Sequence, residues 1–307
     1  MGLFNKKKVK EEKKPEPKLE TIMLGDGEKK YFCDYDSGVT VSYFAGQILN
    51  DPDLPRLKSI IVGMWDQEIY DADVNEIFKM IADNKEKFSH IESLFIGDMD
   101  SEENEISWIK QGDYEELLKS LPNLKSLKIK GSDGLSLGAL DHRNLEELEI
   151  ICGGLPVCVL NSLKTAKLPN LKKLILYSGV EDYGYDCEIS DFADIAKKKL
   201  FPELKYLGFT NSEVQNDLVR VILESDILPQ LETIDVSCGC LTDEGGQLIL
   251  DSAGKLGALK RLDANYHYMS EDMMKKLEAL PFEVDVSDEQ EEDEYDGETY
   301  MYPMITE

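Results

Sequence analysis

Leu228 to Leu250 reads LPQLETIDVSCGCLTDEGGQLIL. Leu231, Ile234 and Val236 stand at the first, fourth and sixth places of an L-x-x-L-x-L pattern, followed by a turn around Gly239 and an N-cap signal at Thr242 with Asp243 and Glu244 behind it. The same pattern, with conservative apolar exchanges, recurs in LPRLKSIIVG (from Leu54), FSHIESLFIG (Phe88), LPNLKSLKIK (Leu121), DHRNLEELEI (Asp141), LPNLKKLILY (Leu168), FPELKYLGFT (Phe201) and LGALKRLDAN (Leu256). The first anchors fall at 57, 91, 124, 145, 171, 204, 231 and 259, so the intervals run 34, 33, 21, 26, 33, 27 and 28. A constant core with variable connecting arms is the mark of the longer leucine-rich repeats.

The two-residue period of a strand sends the anchors at +3 and +5 to one side and +2, +4 and +6 to the other. Burying three such side chains yields about 6 kcal/mol. That is far below the cost of ordering a whole repeat at about 1–2 kcal/mol per residue, so the repeats must stack. DVNEIFKMIADN (73–84), NDLVRVILES (216–225) and SEDMMKKLEAL (270–280) read as the intervening helices, with Asn216, Thr242 and Ser270 as N-caps. Leu241 and Met269, each ten residues after an anchor, turn inward before the helix. The fold class is α/β: a leucine-rich-repeat solenoid, a horseshoe with a parallel inner sheet and outer helices. Eight or nine parallel strands are expected.

The chain divides by composition. Residues 1–20 read as a disordered charged tail, 21–53 as an N-terminal capping segment, 54–286 as the solenoid and 287–307 as an acidic and aromatic tail. YFCDYDSGVTVSYF (31–44) reads as a hairpin around Ser37 and Gly38, and Val284 to Val286 as a last short strand. Tyr295, Tyr300, Met301, Tyr302, Pro303 and Ile305 have no place in a solvated tail, so this end is expected to return to the last repeats and pack its aromatics near Tyr266 and Tyr268.

Among the 307 residues, 62 acidic and 34 basic ones give a formal net charge of -28, which repels a phosphate backbone and argues against nucleic acid as partner. No apolar run approaches the roughly 20 residues a spanning helix needs, and MGLFNKKKVKEEKK lacks an apolar stretch behind its lysines, so a cytoplasmic protein with no membrane association is expected. Gly2 does not make a myristoylation site, because Lys6 stands where that motif takes Ser or Thr.

Catalytic signals fail on spacing. GLSLG (134–138) matches a nucleophile elbow at Ser136 with His142 near it, but only six residues separate Gly138 from Leu145, too few for the helix an elbow requires. A calcium loop from Asp98 finds Glu103 and Ile109 where Gly and Glu belong. His90, His142 and His267 lie in three different repeats and read as structural.

The turn at LTDEGG resembles that of the ribonuclease-inhibitor-like subclass of leucine-rich repeats. From about residue 40 the chain is similar to an uncharacterised bacterial family of cytoplasmic leucine-rich-repeat proteins, notably in DPDLPRLKSIIVG (51–63), LFIGDMDSEENEISWIKQGD (94–113) and DEYDGETYMYPMITE (293–307). The resemblance implies an interaction protein with no activity or cofactor to carry over.

The leading expectation is therefore a non-enzymatic module that binds a protein partner through its concave strand face. The outward offsets nominate Glu147, Glu149, Lys173, Tyr177, Tyr206, Thr233, Asp235, Arg261, Asp263 and Asn265, a mix of aromatic and charged groups suited to binding. The alternative is a metal- or redox-linked protein using Cys152, Cys158, Cys238 and Cys240. With three stacked repeats between the two pairs, these cysteines do not converge, and neither cofactor nor metal is expected. Elemental analysis of purified protein should return no stoichiometric zinc or iron, and about one metal per chain would show the cysteines to be ligands.

Overall fold

The computed structural model describes residues 16–306. Strands β1 (Glu20–Gly25), β2 (Glu28–Phe32), β3 (Ser59–Val62), β4 (Ser93–Ile96), β5 (Ser126–Lys130), β6 (Glu147–Ile151), β7 (Lys173–Gly179), β8 (Tyr206–Ser212), β9 (Thr233–Asp235), β10 (Arg261–Asp263) and β11 (Glu283–Asp285) form one open sheet in strict chain order. Only β1 runs antiparallel to its neighbour. Ten strands are thus mutually parallel rather than eight or nine, because β2 and β11 extend the array at its two ends.

Helices α1 (Val41–Leu49), α2 (Asn75–Asp83), α3 (Lys85–Phe88), α4 (Glu115–Ser120), α5 (Val157–Lys164), α6 (Ile189–Ile195), α7 (Gln215–Glu224), α8 (Asp243–Asp251) and α9 (Glu271–Glu278) fill the return arms. None of the described helices is long and apolar enough to cross a membrane. One continuous hydrophobic cluster runs from Tyr31 to Val286 between sheet and helices. The +3 anchors Leu94, Leu127, Leu148, Leu174, Leu207, Ile234 and Leu262 lie side by side in register through it.

Three ladders fix the register. At each step from β4 to β10, one +1 carbonyl accepts the +1 and +2 amides of the next repeat, as Glu92 O does from Lys125 N at 2.7 Å and Ser126 N at 3.1 Å. The asparagine before the anchor reaches back one repeat: Asn123, Asn144 and Asn170 donate to the carbonyls of Ser89, Pro122 and Arg143, each at 2.8 Å. The +1 side chains pair as ions, Lys58 and Lys125 on Glu92, Lys172 on Glu146, Lys205 and Lys260 on Glu232. Each histidine is also a strut: His90 bonds Leu54 O, His142 bonds Leu121 O and His267 bonds Val286 O.

Several expectations need correction. The hairpin lies not in 31–44 but in β1–β2, turning at Asp26-Gly27, where Gly27 takes φ +84°. The segment 31–44 instead ends β2, turns at Ser37, and enters α1 with Thr40 as N-cap. Thr242 and Ser270 cap α8 and α9 as expected. Asn216 lies inside α7 instead, and its amide pairs with Thr242, accepting from N at 3.1 Å and donating to Oγ1 at 2.9 Å. The tail expectation over 1–20 falls outside the described residues as far as 15, while Lys18 N already bonds Ser37 O. Among the described tail residues, 293–300 form a small exposed hairpin, β12 (Asp293–Tyr295) and β13 (Glu298–Tyr300), and 301–306 return to the body.

Leu174 is fully buried between Leu148 and Leu207. Leu174→Ala should lower the unfolding free energy by about 2–5 kcal/mol in urea titration. Lys79→Ala on the exposed face of α2 should change it by less than about 0.5 kcal/mol.

Candidate functional site: the strand face

The face of the sheet turned away from the helices carries the outward offsets in rows. The +4 row is continuous through ten strands: Lys30, Ile61, Phe95, Lys128, Glu149, Ile175, Gly208, Asp235, Asp263 and Asp285 are successive register partners. Its first part is cationic and aromatic. Lys30 pairs with Asp98 at 2.9 Å, Lys128 with Glu149 at 3.3 Å, and the Lys128 ammonium lies 5.0 Å from the Phe95 ring centre. Its last part is three stacked carboxylates. Arg261 binds Asp263 at 2.9 Å, Asp285 at 3.1 Å and also Glu283.

At the centre, Gly208 has no side chain, and Tyr206 leans across toward β9 to donate to Asp235 Oδ2 at 2.7 Å. The Lys173 ammonium sits 4.9 Å over the Tyr206 ring. Tyr206 is thereby held at both its hydroxyl and its ring face. Burial pushes its phenol well above the ordinary range.

Nine of the ten nominated residues lie in the strand rows or beside them as expected: Glu147, Lys173, Tyr206, Thr233 and Arg261 are register partners in the +2 row, Glu149, Asp235 and Asp263 belong to the +4 row, and Tyr177 pairs with Thr210. Asn265 follows β10 in a loop, where it bonds Ser287. Asp235 is itself buried and accepts from Ser237 N, Ser237 Oγ and Tyr206 Oη, so it holds Tyr206 in place rather than presenting a free charge. Sequence reasoning left Lys30, Ile61 and Phe95 out. Applying the +4 offset to anchors Leu57 and Ile91 would have found the last two, but β2 has Lys29 and Tyr31 at its inward positions and no leucine pattern to align.

The cysteines are placed otherwise. Cys152 donates to Tyr177 O at 3.2 Å and Cys158 to Leu135 O at 3.4 Å. Burial pushes the Cys152 and Cys240 thiols up to about 12, and raises Cys158 and Cys238 as well. Among the described residues no group of three or more His, Cys, Asp or Glu is placed to hold a metal ion. Ser136 lies in a loop between β5 and β6, its amide bonded to Gly112 O at 3.1 Å.

Burial, with the hydrogen bonds from Ser237 and Tyr206 opposing it and the charge of Asp263 adding to it, leaves the Asp235 carboxyl above its ordinary value of 3.8. The folded state then holds this proton more tightly than the unfolded chain, so the contribution of Asp235 to stability falls as pH rises through 3.8 and levels off above the folded value. Urea midpoints of the wild type and Asp235→Asn should therefore diverge in favour of the variant as pH rises from 3.8. A gap independent of pH would refute this assignment.

No family model and no curated protein matches the chain. A solved structure does: an uncharacterised structural-genomics target from Bacteroides fragilis, 48% identical, with a TM-score of 0.81, covering 85% of this chain and 74% of that one. At that identity over most of both chains, the protein belongs to the same family as this Bacteroides fragilis protein.

Proposed function

We propose that the chain is a leucine-rich-repeat horseshoe of the cytoplasm that works as a non-enzymatic interaction module, binding a protein partner through its concave strand face. The observation that carries this reading is the fixed Tyr206. It stands in the middle of an open face, with cations and Phe95 to one side and stacked carboxylates to the other. Rigid aromatics with a polar tip are the residues that carry binding energy at protein interfaces, and flanking charges of opposite sign set orientation. Burial disfavours the thiolate at Cys152 and Cys240, which weighs against a redox reading that uses them.

The test is site-specific photo-crosslinking in the native cell, with the photoreactive residue at Phe95, at Tyr206, or at Lys79 on the helical side. One protein should be captured at both face positions and not at Lys79, and Tyr206→Ala should weaken its binding by about 2 kcal/mol. Capture of the same species at all three positions, or of none at the face, would overturn the proposal.

A further inference from the structure

The end of the chain lies in a channel across the C-terminal ends of β6 to β10, and it is held there as a bound peptide is held. Residues 301–306 run back against chain order, past the loops after β10 and β9, then the end of β8 at Asn211, to Gly153 after β6. Tyr268 Oη accepts from Tyr302 N at 3.0 Å and donates to Tyr302 O at 2.9 Å, and Tyr266 Oη donates to the same oxygen at 3.1 Å. Cys238 O accepts from Met304 N at 2.8 Å. The Asn211 amide holds both main-chain polar groups of one residue, with Oδ1 accepting from Ile305 N at 2.8 Å and Nδ2 donating to Ile305 O at 2.6 Å. At Gly153 an added Cβ would overlap the carbonyl oxygen of Thr306.

Each of these six bonds goes to the main chain of the tail. Its side chains divide: Tyr302 and Met304 are 49% and 54% exposed, while Pro303 is buried and Ile305 packs against the core. The body thus contacts the tail through its backbone and two apolar side chains spaced two apart. Gln290 N bonds His267 O at 2.8 Å, and among the described residues between there and 301, β12 and β13 pair only with each other and Tyr295 is 77% exposed. Asn211 and Cys238 both sit at φ above +50°, with Tyr266 and Asp288 at the same step of their repeats, a costly conformation for residues with a Cβ.

We propose that this channel is a peptide-binding groove for an extended segment of a partner protein, with proline and an aliphatic residue two positions after it, and that residues 301–306 are its resident occupant. The exposed hairpin is a tether that holds the occupant at an effective concentration of about 1 mM, so a partner must outcompete it. The groove is separate from the strand face and does not depend on the function proposed for that face.

The probe is a fluorescein-labelled peptide of sequence ETYMYPMITE, residues 298–307. In the full chain, Ile305→Asp puts a charge where the tail packs on the core and frees the groove. Anisotropy titration should show the peptide binding this variant at least tenfold more tightly than the wild type. Adding Asn211→Ala, or replacing proline and isoleucine of the peptide with serine, should abolish the gain. Equal binding to wild type and Ile305→Asp, or equal binding of the serine peptide, overturns the proposal. A second arm does not depend on that variant folding: a protease site placed in the full chain at Asp296-Gly297 is cut after folding. The body should keep its circular dichroism spectrum, release the fragment on dilution and rebind it saturably. A body that unfolds on cleavage would show the tail to be a structural element and the groove no peptide site.

Discussion

One carbonyl per repeat holds the sheet in register. At position +1 of each strand a single oxygen accepts two amides from the next repeat, at 2.7 to 3.1 Å through the run from Glu92 to Glu232. Because the side-chain period is two, a slip of one residue would carry every anchor leucine to the open face and every charged residue into the core. The asparagine struts and the Lys–Glu pairs at the same position act on the same coordinate. The surface pairs contribute little stability individually, but they make the misregistered arrangements worse, since a slipped stack would lose the partner of each charge.

From this register the open face follows without further design. Any residue placed at +2 or +4 becomes part of a row, and its neighbours are its counterparts in adjacent repeats. That is why nine of the nominated residues were legible in the sequence from leucine positions alone. The strand at Val284, the inward Leu241 and Met269, and the caps at Thr242 and Ser270 were legible for the same reason: each is a side-chain choice forced by burial or by an orphan amide.

What escaped the sequence has no side-chain signature. The β1–β2 hairpin was announced by Asp26-Gly27, but its strands ETIMLG and EKKYF lack the leucine pattern, and Ile22, Met23 and Leu24 on the edge are exposed. Asn216 has the residue type of a cap and became a brace between α7 and α8, because the adjacent Thr242 offered it both a donor and an acceptor. The tail returns to Tyr266 and Tyr268 as expected, but not through its aromatics: Tyr295 and Tyr302 are turned to water. It docks by its main chain together with Pro303 and Ile305, and main-chain hydrogen bonds are the same for every residue but proline.

The charges on the strand face are largely satisfied within the molecule. Lys30 is tied to Asp98, Lys128 to Glu149, and Arg261 to three carboxylates, so a partner that relied on ionic attraction would have to break existing pairs to gain new ones. Breaking and remaking exposed pairs is close to neutral in free energy. The groups that gain from being covered are Phe95 and the ring of Tyr206, whose apolar surface is still in contact with water while their positions are already fixed by Lys128, Lys173 and Asp235. For the partner proposed above, the charges on this face would then select orientation and the two rings would supply the affinity.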